Sequence, residues 1–199
     1  MWESPIIRVS TGLLNTVNDT VIGNSSGISG LSKFGGQLGK ALWVDSSQIA
    51  LMFSSTIGTL YAGLYRYVRL KANSALPVRG QTVFWDDAAG IGLYQVTALE
   101  TITTYVGASK AGIYIGGMGV GNYGFIQVAG IATIKYVASI AGTKAIGRPV
   151  SLSQAGTVSI GLADVDDTPT PELFLGYAID LPADGALGRI DLQLINPRG

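Results

Sequence analysis

The chain has 199 residues, of which 47% are hydrophobic and only 13% are charged, and its formal net charge at pH 7 is +0. It contains no cysteine and no histidine, which excludes disulfides, zinc–thiolate centres, histidine metal ligands, cysteine nucleophiles and Ser-His-Asp triads. The zero net charge argues against bulk nucleic-acid binding, and a charged fraction below the roughly 25% of typical soluble domains predicts a subunit whose partners cover part of its surface.

The N-terminal stretch, residues 10–40, is rich in glycine, serine, threonine and asparagine and poor in aromatic residues. Such a composition is typical of an extended or flexible arm rather than of a packed unit. The following Asp45-Ser-Ser-Gln48 resembles a capping box before residues 49–53, which predicts one short helix. We therefore divide the chain into an extended N-terminal arm, residues 1–42, and a β-rich domain, residues 43–199.

The middle of the chain is strand-like. Runs that alternate bulky and polar residues or are rich in β-branched and aromatic residues predict short strands. These runs are residues 61–70, 81–85, 94–99 and 111–115.

Residues 65–71, Tyr-Arg-Tyr-Val-Arg-Leu-Lys, interleave bases with aromatic rings. Proteins that bind single-stranded nucleic acid use this pairing for stacking and phosphate attraction. On a strand, the side chains of Tyr65, Tyr67, Arg69 and Lys71 share one face. The same pattern describes an amphipathic strand whose long side chains cover apolar neighbours, and we favour that interpretation.

No charged residue occurs between Lys110 and Lys135. The stretch is long enough for a membrane-spanning helix of about 20 residues. Its many glycines oppose that interpretation, because each costs about 1 kcal/mol relative to alanine in a helix. Residues 123–128 and 131–137 are instead rich in aromatic and β-branched residues, with Gly130 between them. Glycine in a strand marks a bend or a bulge, so the stretch predicts a tightly curved β-structure.

Within this stretch, Gly119-Val-Gly121-Asn-Tyr-Gly124 matches the dinucleotide fingerprint G-x-G-x-x-G. The fingerprint needs a helix after it and an acidic residue about 20 positions further on. Residues 125–129 predict a strand, and no Asp or Glu occurs from Thr101 to Ala163. We therefore interpret the match as chance in a glycine-rich chain.

The C-terminal part alternates with a period of two, which indicates strands with one buried and one wet face. In the first such run Val158, Ile160 and Leu162 oppose Thr157 and Ser159; in the second, Ile190, Leu192 and Leu194 oppose Arg189, Asp191 and Gln193. Short strands separated by glycine turns are typical of a barrel or a sandwich.

Two groups of carboxylates are candidate sites. Residues 164–172 cluster Asp164, Asp166, Asp167 and Glu172, and calcium prefers such oxygen ligands, but the spacing and central glycine of an EF-hand are missing. We interpret the cluster as a solvated, proline-stiffened loop and leave open whether it binds a cation. Asp86 and Asp87 could pair with a distant acid for glycoside hydrolysis, a chemistry that needs two carboxylates. We assign no catalytic, cofactor-binding or metal-binding residue.

Charge is distributed unevenly along the chain. Residues 101–163 carry only the bases Lys110, Lys135, Lys144 and Arg148, whereas residues 164–191 carry Asp164, Asp166, Asp167, Glu172, Asp180, Asp184 and Asp191 with the single base Arg189. The two segments could neutralise each other inside one fold. They could also attract each other between subunits in a head-to-tail contact, which generates rings.

Several segments resemble the head decoration, or cement, proteins of tailed bacteriophages. They are Leu-Tyr-Ala-Gly-Leu-Tyr-Arg-Tyr-Val-Arg-Leu at 60–70, Pro-Val-Arg-Gly-Gln-Thr-Val-Phe-Trp at 77–85, Tyr-Gln-Val-Thr at 94–97, Gly-Asn-Tyr-Gly-Phe-Ile-Gln-Val-Ala-Gly at 121–130 and Ala-Thr-Ile-Lys at 132–135. The likeness covers about residues 60–150. It implies a small β-barrel on the outside of a capsid, clustered at symmetry axes as trimers or similar groups, with no catalytic residues to carry over.

We expect an all-β fold, a small β-barrel or β-sandwich with an extended N-terminal arm and at most one short helix. The expected function is that of a structural virion protein that stabilises a phage capsid by bridging neighbouring capsid subunits. The expected partners are the major capsid protein and the chain itself, as a homotrimer, with no nucleic acid, membrane, cofactor or enzymatic activity. The protein would be assembled in the host cytoplasm and lie on the outer surface of the virion. The alternatives are a tail or fibre module that binds or hydrolyses a host glycan, and a tail-tube or connector subunit.

Overall fold

The computed structural model describes Gly39 and residues 41–53, 57–72, 74–86, 94–98, 110–153 and 161–193. Strands dominate these residues and helix is confined to one short segment, which confirms the all-β fold class. The predicted arm, residues 1–42, lies outside the described residues except for Gly39 and the start of the first strand. The strand predicted around Val158 and Ile160 also lies outside them.

The described elements follow one another as ten strands and one helix. In chain order they are β1 Ala41–Val44, α1 Ser46–Met52, β2 Gly63–Leu70, β3 Thr82–Trp85, β4 Gln95–Thr97, β5 Lys110–Tyr114, β6 Tyr123–Lys135, β7 Pro149–Leu152, β8 Ala163–Val165, β9 Phe174–Ala178 and β10 Leu187–Gln193.

The capping box that the sequence predicts is present at the start of α1. The Asp45 carboxylate accepts hydrogen bonds from the backbone N–H groups of Ser47, at 3.0 Å, and Gln48, at 3.1 Å. The Gln48 side chain accepts in return from the Asp45 backbone N–H at 3.3 Å. Hydrogen bonds from the Ser47 hydroxyl and from these amides hold the pKa of Asp45 below its usual value. The helix ends where Phe53 adopts an extended backbone.

A first barrel is formed by β2, β4, β3, β5 and β6 in that order, and pairing of β6 with β2 closes it. Only β2 and β4 run parallel; the other four pairings are antiparallel. Its apolar interior consists of Val68, Leu70, Val83, Trp85, Val96, Ala111, Tyr114, Met118, Ile126 and Val128. This closed five-stranded sheet is the small barrel that the glycine-punctuated sequence predicts.

A second sheet grows from the same long strand, β6, in the order β6, β10, β9, β7, β8. A parallel bridge between Tyr136, just after β6, and Ala163 of β8 brings the ends of this sheet together. The first apolar run, residues 123–128, and most of the second, residues 131–137, lie on one continuous strand of 13 residues, Tyr123–Lys135, with Gly130 within it. Gly130 has φ +88°, a conformation that a side chain disfavours.

The two sheets share apolar packing as well as a strand. Phe84 of β3 and Ile113 of β5, on the outside of the first barrel, belong to the core of the second sheet. Backbone hydrogen bonds from Thr82 to Gly161 and from Lys135 to Gly80 join the same two parts. The described residues therefore pack as one unit around β6 rather than as two independent domains.

The alternation predicted for the last strand is confirmed in β10. Ile190 and Leu192 are buried in the second core, whereas Asp191 and Gln193 are exposed and Arg189 is half-buried. Leu194 lies beyond the described residues.

Candidate contact surfaces

The aromatic and basic stretch on β2 is not an exposed platform. Tyr65 and Tyr67 share a face, as the alternation predicts, but that face is buried under β1 and the end of α1. The ring centroid of Tyr65 lies 5.0 Å from that of Phe53, and the ring of Tyr67 lies 5.1 Å from that of Phe125. Burial raises the pKa of Tyr67 to about 12. These two rings are packed against protein and are not available to stack on bases.

The opposite face of β2 carries a buried charge that the sequence analysis did not single out. Arg66 is only 4% exposed and its guanidinium carbon lies 5.8 Å from the ring centroid of Trp85, in the first barrel. Burial lowers the pKa of Arg66. The signal was present in the alternation itself, because Arg66 falls between Tyr65 and Tyr67 and must point the other way.

The glycine-rich match to a dinucleotide fingerprint forms a turn before a strand. Asn122 donates its backbone N–H to the Gly119 carbonyl at 3.1 Å, and β6 begins at the next residue. Arg69 reaches the Gly121 carbonyl with Nε at 3.2 Å and lies over the ring of Tyr123. A strand follows the turn where the fingerprint requires a helix, so the interpretation as a chance match is confirmed.

Asp86, one of the candidate acids, is held at the end of β3 by neighbouring polar groups. Lys71 Nζ lies 3.2 Å from one of its carboxylate oxygens, and Gln95 donates to the other at 2.7 Å. Asp87 lies outside the described residues. The contacts of Asp86 are those of a structural ion pair.

The acid-rich segment is partly a strand and not wholly a loop, which corrects the prediction for residues 164–172. Asp164 lies in β8 and accepts the Ala141 backbone N–H at 3.0 Å. The reason is that successive side chains of a strand point to opposite faces, so the half-buried Asp164 can alternate with the buried Ala163 and Val165. Burial raises the pKa of Asp164, and the charges of nearby acids add to the effect. Among the described residues, no three acidic, histidine or cysteine side chains are grouped to hold a metal ion.

Among the described residues, the basic and acidic segments pair inside the fold at two places, and a third ion pair lies within the acidic segment. Lys144 contacts Asp184 at 2.6 Å, Arg148 contacts Asp167 at 3.3 Å, and Arg189 contacts Asp180 at 2.5 Å. Arg189 lowers the pKa of Asp180, and Lys144 lowers that of Asp184. Mutual neutralisation within one subunit therefore accounts for much of the uneven charge.

Lys110 connects the first barrel to the second sheet. It begins β5 in the first barrel, and its Nζ donates to the backbone carbonyl of Phe174 in β9 at 2.6 Å. Burial lowers the pKa of Lys110 to about 8, although the charge of Glu172 acts in the opposite direction. The ammonium is thus held where its charge is poorly solvated.

The outer face of β6, β10 and β9, hereafter the sheet face, exposes large apolar side chains. Asp191 on β10 lies directly opposite Ile131 on β6 and, on its other side, Tyr177 on β9. Leu187, at the start of β10, lies opposite Lys135 on β6. Ile131 is 38% exposed, Tyr177 43% and Leu187 44%. Exposed apolar side chains grouped on one sheet face, here around the carboxylate of Asp191, form a surface suited to contact with another protein.

A second candidate surface is the edge strand β1. It pairs with β2 on one side, and none of the described strands pairs with its other edge. The side chains of Leu42 and Val44 are buried on one face of β1, whereas that of Trp43, on the opposite face, is 45% exposed. A strand edge of this kind presents unpaired N–H and C=O groups to a partner.

Within the part of the chain that the structure describes, no helix has the length and apolar character needed to cross a membrane.

The sequence matches no protein-family model and no curated protein. Among solved structures, the chain is similar to the N base of the head fibre gp8.5 of bacteriophage phi29. The similarity covers 68% of this chain and 98% of that one, with 14% sequence identity and a TM-score of 0.43.

Proposed function

We propose that the chain is a structural protein of a phage virion that attaches to the outer surface of the capsid and bridges neighbouring capsid subunits. The proposal includes no enzymatic activity and no cofactor. The observation that carries it is the sheet face, where Ile131, Tyr177 and Leu187 are exposed on three adjacent strands. The resemblance of residues 60–150 to capsid decoration proteins supports the choice of the major capsid protein as the proposed partner.

The sheet face gives this adhesion a physical basis. Removing apolar surface from water contributes about 25 cal/mol per Å² to the gross free energy of binding, against which the loss of translational, rotational and side-chain freedom counts. Two charges border this face differently. Arg189 is already bound to Asp180 within the same subunit, whereas the exposed Asp191, between Ile131 and Tyr177, accepts, among the described residues, only from Gln193. A partner that covers the face should therefore offer Asp191 a hydrogen-bond donor or a cation, since an unpaired buried carboxylate is costly.

Repetition on a lattice compensates for a small contact. A face built around three apolar side chains supports only a weak contact by itself. On a capsid, a subunit that touches two neighbours, or that is joined to two further copies in a trimer, binds with a much higher effective concentration. The proposed trimer is thus part of the mechanism, since bridging requires more than one contact at a time.

A binding experiment on heads tests the proposal. Decoration-free heads of the phage that encodes the chain are mixed with the full chain, and bound copies are counted by quantitative gel and located by cryo-electron microscopy. We expect density on the outer lattice at sites shared by neighbouring capsid subunits. Density in a six-fold ring at the tail, or no density on heads, would contradict the capsid assignment.

The N-terminal residues are tested in the same experiment. A chain that lacks residues 1–39 is compared with the full chain, because an arm can add a strand to the exposed edge of a neighbour. We expect lower occupancy of the truncated chain at equal concentration. Equal occupancy would remove the arm from the mechanism and leave the sheet face as the contact.

A second candidate function is a fibre module that binds a host glycan. The observation that favours it is the exposed ring of Tyr177 beside the carboxylate of Asp191, to which Gln193 donates at 3.3 Å. An aromatic ring flanked by planar polar groups can stack on a sugar and bind its hydroxyls. Binding of host polysaccharide that is lost in Tyr177→Ala and Asp191→Asn would replace the capsid proposal with this one. Depolymerisation of that polysaccharide, abolished by Asp86→Asn or Asp167→Asn in variants that remain folded, would make the module an enzyme as well.

A further inference from the structure

The rings of Phe174 and Tyr177 lie on the same face of β9 because the strand carries one extra residue. Three positions separate them, and in an unbroken strand that spacing places side chains on opposite faces. Their partners on β7, Ser151 and Pro149, are only two positions apart, so Leu175 is the extra residue of a bulge. The ring centroids of Phe174 and Tyr177 lie 5.2 Å apart in an edge-to-face arrangement. The bulge therefore aims the Tyr177 ring onto the sheet face, where Phe174 supports it.

Asp191 lies between this aromatic pair and the aliphatic side of the sheet face. It is directly opposite Tyr177 on β9 and Ile131 on β6, and side chains paired in this way have Cβ atoms about 4.5–5.5 Å apart. A Cβ atom on Gly176 would collide with the backbone carbonyl of Asp191, so glycine is what lets β9 approach β10 at this point. The exposed Asp191 carboxylate is thus flanked by an aromatic ring and an aliphatic side chain.

The basic side chains beside Asp191 are already engaged. Arg189, two positions away on the same face of β10, donates with Nε to the Asp180 carboxylate at 2.8 Å. Lys135 donates to a backbone carbonyl. Among the described residues, no lysine or arginine forms an ion pair with Asp191, and its carboxylate accepts one hydrogen bond, from Gln193 at 3.3 Å. A partner that covers the sheet face must therefore bring the compensating charge.

The chain itself contains a complete example of such an arrangement. The Arg189 guanidinium binds the Asp180 carboxylate and lies 5.6 Å from the ring centroid of Tyr61. A carboxylate and a tyrosine ring thus hold one guanidinium, which pairs with the first through its planar N–H groups and stacks on the second. Asp191 and Tyr177 present the same two groups on the sheet face, and no described residue supplies a guanidinium to them.

We propose, resting on the capsid function proposed above, that Asp191 and Tyr177 receive an arginine side chain of the capsid subunit, whose apolar neighbours cover Ile131. Arginine fits better than lysine, because a guanidinium is planar, is less strongly hydrated than an ammonium and binds a carboxylate while it stacks on a ring. A second copy of the chain fits less well in a two-fold contact, since each copy would bring an uncompensated Asp191 to the same interface.

Selective modification of heads tests this pairing. Decoration-free heads are treated with an arginine-selective dicarbonyl reagent or with a lysine-selective acetylating reagent, freed of reagent, and checked for integrity by electron microscopy before the full chain is added. We expect arginine modification to weaken binding of the natural chain about tenfold, and acetylation to leave it unchanged. Asp191→Asn should bind untreated heads about tenfold more weakly than the natural chain does, and should bind arginine-modified and untreated heads equally.

Asp167→Asn is the matched control for the loss of one negative charge. Its carboxylate is also exposed, but it is bound to Arg148 at 3.3 Å within the subunit. This variant should bind untreated heads as the natural chain does and should respond equally to arginine modification. The ring is tested by Tyr177→Phe, which should keep the natural affinity, and by Tyr177→Leu, which should bind about threefold more weakly. Thermal unfolding of each variant checks that the fold is retained.

The possible outcomes distinguish the arginine contact from the capsid function. If the natural chain binds arginine-modified and untreated heads equally well, the arginine contact is wrong and the capsid function stands, and this comparison needs no variant. Sensitivity to acetylation alone would replace the arginine with a lysine. An equal response of Asp191→Asn and the natural chain would place the capsid arginine against another part of the chain. No binding to untreated heads would overturn both proposals, and self-association without heads that is lost in Asp191→Asn would identify a second copy as the occupant.

Discussion

Gly63 of β2 and Gly130 of β6 lie directly opposite each other, at the point where β6 leaves the first barrel and enters the second sheet. A Cβ atom on Gly130 would lie 2.9 Å from the Cα of Gly63 and 2.9 Å from the carbonyl oxygen of Ala62. Both neighbours are backbone atoms, so the two strands approach too closely for a side chain. The bend that connects the two parts of the fold depends on this glycine pair.

We expect Gly130→Ala to destabilise the protein by about 2–5 kcal/mol, because it combines a positive φ with a steric clash against backbone. The matched control is Gly147→Ala. Gly147 also has a positive φ, +79°, but no atom lies within 4 Å of the position that a methyl group would occupy there. The control should lose only about 1–2 kcal/mol. Chemical unfolding of both variants measures the difference, and equal losses would show that the close approach at Gly130 is unimportant.

The lowered pKa of Lys110 should make the free energy of unfolding rise with pH in the alkaline range. Burial lowers its pKa from 10.5 to about 8 in the folded chain. Between these values the unfolded chain binds the proton and the folded chain does not, so stability rises with pH in this window. The free energy of unfolding of the natural chain, compared with that of Lys110→Met, should therefore increase from pH 8 to pH 10. A constant difference between the two proteins would contradict the burial of the ammonium.

The buried tyrosines predict the opposite slope above pH 10. Burial raises the pKa of Tyr65, Tyr67 and Tyr136 above the ordinary value of 10.0. Above pH 10 the unfolded chain loses these protons first, so stability falls as pH rises further. Ultraviolet titration of tyrosine should accordingly show a late fraction that ionises only with unfolding. Ionisation of all tyrosines near pH 10 in the folded protein would contradict this.

Loss of the capping box at Asp45 should lower the free energy of unfolding by a small amount. Asp45→Ala removes the acceptor of two backbone N–H groups and should cost about 1 kcal/mol, measured by urea unfolding. Asp45→Asn keeps an acceptor oxygen and should stay within a few tenths of a kcal/mol of the natural chain. If the two variants lose the same stability, the charge of Asp45 matters more than its hydrogen bonds.

The sheet face predicts a loss of binding without a loss of fold. Tyr177→Ser combined with Leu187→Ser removes two exposed apolar side chains, so we expect reduced occupancy on heads and a nearly unchanged unfolding transition. The matched control is Val120→Ser, whose side chain is equally exposed on the turn before β6. Occupancy equal to that of the control would place the capsid contact elsewhere on the chain.

The sequence-based predictions that the structure confirms rest on local patterns. The capping box needs only Asp45 and Gln48, three residues apart, and it forms as the sequence predicts. The alternation of Ile190 and Leu192 with Asp191 identifies the buried face of β10 because the strand has one core side and one wet side. These features depend on neighbouring residues, which a sequence displays directly.

Long-range arrangement limited the other predictions. The Tyr65 and Tyr67 face of β2 is covered by β1 and the end of α1, so a strand that looks amphipathic is buried on both sides. Asp164 looked like part of a polar loop, yet its place in β8 depends on pairing with Ser151 of β7. The sheet face is likewise assembled from strands whose order along the sheet differs from their order along the chain. No local pattern encodes such pairings.

The strand shared by the two sheets also has a consequence for biosynthesis. Once β6 has emerged from the ribosome, every strand of the first barrel is available, so that barrel can close. The second half of β6 must then wait for β10, the last of the described strands to be made, before it gains its partner. During that interval the nascent chain displays an apolar, incompletely paired ribbon. Until β10 is made, this half of β6 is the part of the nascent chain at which association with another strand competes with folding.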